Sequence, residues 1–234
     1  MNIVATQKHK KKVTQSNKLV EASYHLGIDE KRLLMIGATK FDSRSDVPDK
    51  TTITAQEFSD TFSVSIDSAY GQLKAAKDSL YDRDIRFNDE DSEERVRWVH
   101  RVTYHKRRGS VTLYWSPDIK PYIGQLGRKF SSYYIESMSE LTSFHSIRIY
   151  ELLMQYIDYG QRWFTEDDLR KKLLLEDKYA RYTDLRRYVI KKSVDELNLK
   201  TDLDVSFKAE KEGNKVVKIW FFYNYKVQQE IKFS

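Results

Sequence analysis

The residues of this sequence that could do chemistry are five cations grouped on a helix that the periodicity predicts from Tyr182 to Asn198. They are Arg181 just before the helix, Arg186, Arg187 and Lys191 within it, and Lys192 at its flank. At 100° per residue the apolar side chains fall on one arc, and Arg187, Tyr188 and Lys191 fall opposite it. An arginine can bond both O6 and N7 of guanine in a major groove, and a lysine can neutralise phosphate. One face of the helix therefore suits a protein core, and the other suits recognition of a nucleic acid.

Arg186 differs from the other four cations because the same geometry places it within the apolar arc. Its aliphatic stem could pack there while the guanidinium reaches a phosphate. Tyr179, Tyr182 and Tyr188 are expected to pack in the core or at its rim rather than to contact bases. A solvated amphipathic helix is the alternative interpretation of the whole set, so the surrounding elements must decide.

Those elements predict the position of a recognition helix. Trp163-Phe164-Thr165 is typical of a short strand followed by an N-cap, and Glu166 to Leu175 of a short helix. Downstream, Val205 to Glu210 and Val216 to Tyr225 predict a hairpin around the turn Glu212-Gly213-Asn214. A short helix, a turn, a longer helix and a β-hairpin are the parts of a winged helix.

The same order of elements occurs earlier in the chain. After a predicted strand, Thr54 is followed three residues later by Glu57, which is the capping box of a short helix. The next helix carries Ala69, Leu73, Ala76 and Leu80 on one face, with the cations Lys74 and Lys77 off that face. Because whole units repeat in the same order, the sequence predicts two winged helices in one chain.

The hairpin of the earlier unit has a basic tip. Arg95 to Tyr104 and Val111 to Trp115 are rich in β-branched and aromatic residues, and the turn Lys106-Arg107-Arg108-Gly109 joins them. A wing usually lies along the phosphate backbone, so these three cations are predicted to contact phosphate, as are Lys74 and Lys77. A solvated turn is the alternative. We expect the first unit to grip phosphate or to make protein contacts, and the second to read base edges.

The fold class that these patterns predict is α+β, with two tandem winged-helix domains, each a helix-turn-helix plus a β-hairpin. The expected parts are a basic flexible arm (1–16), an N-terminal domain for dimerisation or phosphate contacts (17–130), a connector (131–142), a C-terminal domain for sequence-specific DNA binding (143–226) and a tail (227–234). One helical domain decorated with two unrelated hairpins would explain the same elements but not their order.

Composition narrows the class of protein. The chain has 234 residues and a net charge of +6, and the positive charge favours a polyanionic partner. It has no cysteine, which excludes disulfides and thiolate metal sites. The five histidines include no His-x-His pair, and no Gly-x-x-x-x-Gly-Lys-[Ser/Thr] loop is present. We therefore expect no catalytic site, cofactor or metal. No apolar run could span a bilayer and no signal peptide is evident, so a cytoplasmic protein without membrane contact is expected.

In these features the chain resembles the initiator (Rep) proteins of iteron-containing bacterial plasmids, which have two winged-helix domains. The resemblance covers about 17–225. It rests on Ser16-Asn17-Lys18-Leu19-Val20-Glu21-Ala22, on Ala69-Tyr70-x-x-Leu73-Lys74, and on Tyr182-x-Asp184-Leu185-Arg186-Arg187-x-Val189-Ile190 followed by Glu196-Leu197-Asn198.

The resemblance implies binding to directly repeated double-stranded DNA sites at a plasmid origin and to the protein's own promoter. Arg181, Arg186, Arg187, Lys191 and Lys192 match the family's basic recognition helix, so it implies a DNA-contact role for them. It also implies that monomers open the origin and recruit a host replication initiator and helicase, while dimers formed through the N-terminal domain repress the protein's own gene. A plain winged-helix transcriptional repressor would use the same fold and contacts and stays open. A rolling-circle enzyme that nicks DNA through a tyrosine fits less well, because its metal site is not supported.

Overall fold

Eleven strands and nine α-helices make up the part of the chain that the structure, a computed structural model, describes: residues 11–88 and 91–227. The first are β1 (Lys12–Ser16), α1 (Asn17–Glu21), β2 (Ser23–Tyr24), α2 (Ile28–Ala38), β3 (Lys50–Thr54), α3 (Ala55–Phe62), α4 (Ile66–Leu80), β4 (Asp84–Asn88), β5 (Glu93–Arg97), β6 (Val99–His105) and β7 (Ser110–Trp115). The chain continues with α5 (Lys120–Ile123), β8 (Phe130–Tyr134), α6 (Phe144–Met154), β9 (Gln161–Phe164), α7 (Glu166–Lys172), α8 (Tyr182–Leu185), a π-helical turn (Arg186–Ile190), α9 (Lys191–Lys200), β10 (Leu203–Glu212) and β11 (Lys215–Tyr225).

Two units repeat one order of elements. The first winged helix comprises α2, β3, α3, α4 and a first wing made of β6 and β7. The second comprises α6, β9, α7, α8, α9 and a second wing made of β10 and β11. In each unit the strand before the helix-turn-helix pairs antiparallel with the second strand of the wing, which gives the sheet orders β3–β7–β6 and β9–β11–β10. The predicted α+β fold of two tandem winged helices is confirmed.

A threonine begins the helix-turn-helix in both units. Thr54 Oγ1 accepts the N–H of Glu57 at 3.1 Å, and the Glu57 carboxylate accepts the N–H of Thr54 at 3.0 Å, which is the predicted capping box. In the second unit Thr165 Oγ1 accepts the N–H of Asp168 at 3.0 Å. Each bond satisfies an N–H group that has no partner within the first turn of its helix. The same local signal therefore sets the start of both motifs.

A buried carboxylate joins α6 to the first winged helix. Glu151 on α6 is fully buried, and its carboxylate lies 2.6 Å from Lys31 Nζ and 3.0 Å from Arg148 Nη1. The hydroxyls of Tyr24 and Tyr133 also donate to it. Burial raises the pKa of Glu151, but Lys31 and Arg148 outweigh burial and lower it to about 2. The group is therefore an anion that compensates two buried cations.

A second link ties α1 to the second winged helix. Glu21 at the end of α1 pairs with Arg162 on β9 at 2.5 Å and with Lys172 on α7 at 2.7 Å. Helix α6 packs against α9 as well as against α1. These contacts place the two helix-turn-helix motifs on one connected core.

The predicted flexible arm and connector are corrected by the structure. Lys12–Ser16 is strand β1, which pairs antiparallel with Phe130–Tyr134. The prediction of a flexible arm is wrong for these five residues because Val13 is buried and Gln15 Nε2 donates to the Glu151 carboxylate at 2.9 Å. The start of the predicted connector is likewise part of a sheet. The rest of the arm, 1–10, and residues 228–234 of the predicted tail lie outside the described residues.

Candidate DNA interface

The turn of the second helix-turn-helix is long, over 173–181, and a buried arginine holds it. Arg170 on α7 donates to the carbonyl oxygens of Lys178 at 2.8 Å and Tyr179 at 2.7 Å, and to the Glu166 carboxylate at 2.6 Å. Tyr179 has a φ of 55°, in the left-handed region that non-glycine residues seldom adopt. Arg170 therefore fixes the path of the turn and the point at which α8 begins.

From Tyr182 to Lys200, α8, the π-helical turn and α9 form one continuous helix, called here the α8–α9 helix. The side chains on the inward face of this helix are buried: Leu185, Val189, Ile190, Ser193, Val194 and Leu197. At its end, the side chain of Asn198 bonds the N–H and the carbonyl oxygen of Val205 at 2.7 and 2.8 Å. The core face predicted from periodicity is confirmed, and the helix is fastened to the second wing.

The five predicted cations of the α8–α9 helix are all exposed. Lys191 lies 2.6 Å from Asp195 one turn along the same helix, and both side chains remain exposed. Arg181, whose side chain is 86% exposed, lies 3.9 Å from Asp184. Among the described residues, none of the five forms an ion pair with a carboxylate from another element. The cationic side of the helix is therefore open to a partner, and contact with DNA stays a prediction.

Tyr188 stands at the centre of this exposed side. It is 42% exposed, and its ring stacks on Tyr179 with 6.0 Å between ring centroids. The guanidinium of Arg187 lies over the ring at 5.3 Å and the Lys192 ammonium at 5.6 Å. The helical period predicts this position opposite the apolar arc, beside Arg187 and Lys191, and the structure agrees. The sequence predicts packing for the ring rather than a contact with bases, and its stacking on Tyr179 is found only in the structure.

The placement of Arg186 is corrected. It is exposed, and its guanidinium lies 5.8 Å from the ring of Phe207 on the second wing. The N–H of Lys191 donates to the Arg186 carbonyl oxygen, a bond over five residues that widens the helix at this point. A constant 100° per residue therefore misjudges the phase here, and Arg186 faces solvent beside the wing.

In the first winged helix most of the predicted DNA-contacting cations lie in the wing. Lys74 on α4 is exposed, whereas Lys77 is half-buried and paired with Asp78. At the wing tip Lys106, Arg107 and Arg108 are all exposed. Within residues 11–88 and 91–227, Lys74 and the three wing cations form no ion pair. Their predicted phosphate contacts are sterically open.

Comparison with known proteins decides the family. The family model described as "Initiator Replication protein, WH1" matches residues 12–154, and the one described as "Initiator Rep protein, WH2" matches residues 165–223. The chain belongs to the initiator replication protein family. The resemblance inferred from the sequence is thereby confirmed. The first match runs through α6, which belongs to the second unit and whose Glu151 pairs with Lys31 of the first unit.

Two relatives and one solved structure are similar to this chain over most of its length. A replication initiation protein of Escherichia coli is 23% identical over 197 residues, which are 80% of this chain and 61% of the relative. The PI protein of Escherichia coli is 25% identical over 263 residues, covering 96% of this chain and 85% of the relative. The crystal structure of the Pi initiator protein in complex with iteron DNA matches with a TM-score of 0.81 at 22% identity, covering 93% of this chain and 98% of that one. At this identity the structural match shows the shared fold.

Metal-binding clusters and membrane-spanning helices do not occur in the described part of the chain. Over these residues no group of three histidine, cysteine, aspartate or glutamate side chains could hold a metal ion. His25 and His145 do approach each other, with 6.4 Å between ring centroids. Nor do these residues include a helix with the length and apolar character that a bilayer crossing requires.

Proposed function

We propose that this protein initiates plasmid replication by binding directly repeated double-stranded DNA sites at the origin, with no catalytic site of its own. The observation that carries the proposal is the unobstructed cationic side of the α8–α9 helix, in the second of two linked winged helices. Membership of the initiator replication protein family supports it, as does the shared fold with an initiator solved on iteron DNA.

The two winged helices would divide the work of binding. Arg181, Arg186, Arg187, Lys191 and Lys192 present forked and point-like donors along one helix, which suits base edges and flanking phosphates in a major groove. The first wing presents three successive cations on a turn, which suits a phosphate backbone whatever the base sequence. Repeats about two helical turns long, roughly 20 base pairs, would let both units bind one face of the duplex.

Self-association, repression of the protein's own gene by a dimer, and recruitment of a host replication initiator and helicase are further parts of the proposal. They are supported by family membership alone. The same role places the protein in the bacterial cytoplasm with the plasmid DNA.

A plasmid-maintenance experiment separates an initiator from a plain repressor. The gene and its flanking DNA are placed on a circle that lacks any other origin and introduced into a suitable host. We expect the circle to replicate, and the Arg187→Ala variant to abolish or sharply reduce its copy number. Arg44→Ala is the matched control, since it removes an exposed arginine that pairs with Asp42 in the loop before β3.

Two outcomes would count against the proposal. Failure of the wild-type circle to replicate, with the protein still binding its own promoter, would indicate the transcriptional repressor. Conversion of supercoiled origin DNA to a nicked form with a protein–tyrosine link would indicate a rolling-circle enzyme and overturn the absence of catalysis.

A further inference from the structure

The exposed ring of Tyr70 on α4 lies directly against the turn of the first wing. Tyr70 is 41% exposed, and its neighbour in the wing is Gly109, which follows the three tip cations. A Cβ added to Gly109 would lie 1.9 Å from Tyr70 Cε1, far closer than any real contact. The ring and the glycine backbone therefore touch with no room for a side chain between them.

The same glycine is also held by its backbone. Its carbonyl oxygen accepts the N–H of Ala55, the first residue of α3, at 2.8 Å. Its φ of 54° lies in the left-handed region that glycine adopts without strain. The N–H of Arg108 closes the turn onto the carbonyl oxygen of His105 at 3.0 Å. The end of the basic tip is thus fixed to the start of α3 and to the second turn of α4.

The second wing has no such restraint. Its turn glycine, Gly213, has nearly the same φ of 60°, yet nothing lies within 4 Å of a Cβ added there. The left-handed conformation by itself therefore does not require contact with the helix. The contact with Tyr70 is a feature of the first wing.

We infer that Tyr70 is a positioning residue that holds the tip of the first wing beside α4, so that the tip and α4 form one phosphate-binding surface. Lys74 lies one helical turn after Tyr70 on the same side of α4, and Lys106, Arg107 and Arg108 immediately precede Gly109. A tip that is held in place before binding loses less conformational freedom when a duplex docks. The inference rests on the proposed function and assigns the DNA backbone as the partner of this surface.

The first experiment compares Tyr70→Ala with Tyr70→Phe. Binding is measured across a salt series on a random-sequence duplex of about three helical turns and on the duplex that carries the origin repeats. We expect Tyr70→Ala to weaken binding about tenfold on both duplexes. We also expect it to reduce the magnitude of the slope of log K against log[salt], called here the salt slope, by about 1 for each phosphate that the protein no longer neutralises. Tyr70→Phe keeps the ring and should bind as the wild type does. An equally large weakening in Tyr70→Phe would mean that the hydroxyl itself bonds DNA, and would overturn the positioning role.

The second experiment compares Gly109→Ala with Gly213→Ala, which share the backbone penalty but differ in the space around the added methyl group. We expect Gly109→Ala to lower the salt slope and the affinity on both duplexes, and Gly213→Ala to leave the salt slope unchanged. Urea unfolding of each variant measures the folded fraction, so a decrease in stability is separated from a decrease in phosphate binding. Equal salt slopes for the wild type, Gly109→Ala and Tyr70→Ala would overturn the inference.

Failure of this inference differs from failure of the proposed function. If the wild type binds the repeats in preference to random duplex and Tyr70→Ala keeps the full salt slope, only the positioning role is wrong. If the wild type binds neither duplex, both the proposed function and this inference are wrong.

Discussion

The two winged helices share their topology and differ in where they expose positive charge. The second unit has its cations along the α8–α9 helix, and its wing turn mixes acidic and basic residues, from Glu210 to Lys215. The first unit has one unpaired exposed lysine on α4 over the described residues and three successive cations on its wing tip, held against α4 through Tyr70. One scaffold can therefore offer a helix suited to base edges in one copy and a wing suited to phosphate in the other.

The turns inside the two helix-turn-helix motifs also differ, in their length. Between α3 and α4 the chain needs only Ser63–Ser65, whereas between α7 and α8 it uses 173–181. The longer turn is held by Arg170, and the first motif needs no equivalent. Orientation of the proposed reading helix thus depends on side-chain bonds, while orientation of α4 depends on a short connection.

The largest expected effect tests whether the two units share one core. Glu151→Gln leaves the buried Lys31 and Arg148 without their counterion, so it should lower the free energy of unfolding by about 3–5 kcal/mol. Urea unfolding followed by circular dichroism measures this. Glu136→Gln, which changes an exposed glutamate on the turn after β8, is the control and should change little. Two separate unfolding transitions in the wild type would contradict a shared core.

Acid should reproduce part of that destabilisation. The folded-state pKa of Glu151, about 2, lies below the ordinary glutamate value of 4.5 that applies to the unfolded chain, so its stabilising contribution is complete above pH 4.5. The contribution disappears as the pH falls toward 2. In Glu151→Gln this part of the pH dependence should be missing.

The next prediction tests whether Arg170 holds the long turn between α7 and α8. Arg170→Met removes the bonds to the Lys178 and Tyr179 carbonyl oxygens and should destabilise the protein by about 2–3 kcal/mol. It should also weaken binding to the origin repeats more than to random duplex, because the start of α8 is no longer fixed. Lys171→Met, at the exposed neighbouring position, is the matched control. Unchanged preference for the repeats in Arg170→Met would show that the turn does not orient the helix.

A second pH effect concerns His145 on α6, which approaches His25 just before α2. Burial, with the positive charge of Lys178 and the nearby His25, lowers the pKa of His145 to about 4. Unfolding exposes a histidine that binds a proton below pH 6.5, so stability should fall as the pH drops from 6.5 toward 4, by at most about 1.4 kcal/mol per pH unit. His145→Gln should flatten this region of the stability curve. A variant curve identical to that of the wild type would rule out His145 as the cause.

The smallest expected effect concerns the threonine N-caps, in which the two units should be alike. Thr54→Ala and Thr165→Ala each remove one N-cap bond and should lower the free energy of unfolding by about 1 kcal/mol. Thermal or urea unfolding measures both, with Thr54→Ser and Thr165→Ser as controls that keep the cap oxygen. A large difference between the two alanine variants would show that the caps are not equivalent.

Local signals predict most of the fold. The capping box at Thr54 and Glu57, the period of the α8–α9 helix and the turns at Gly109 and Gly213 all act over a few residues, and each has the predicted structure. A local sequence pattern cannot predict the pairing of strands that are far apart in the chain. Lys12–Ser16 is polar and by itself predicts an arm, but a strand more than a hundred residues away completes its hydrogen bonding.

The candidate site is predictable as a set of residues but not in its arrangement. Exposure of the five cations follows from helical period, except at Arg186, where the π-helical turn changes the phase. The contact between Tyr70 and Gly109 joins residues from separate elements and leaves no periodic trace in the sequence. The helical period places Tyr188 on the side of Arg187 and Lys191, but it does not predict that the ring stacks on Tyr179 with Arg187 and Lys192 over it.

The division of work between the units is tested most directly by binding measurements on Arg187→Ala and Lys106→Ala with two duplexes, one carrying the origin repeats and one of random sequence. Arg187→Ala should weaken binding by about 1–3 kcal/mol on the repeats and much less on random duplex. Lys106→Ala should weaken binding equally on both and show a salt slope lower by about 1. If Arg187→Ala weakens binding to the two duplexes equally, that result would contradict base reading by the second winged helix.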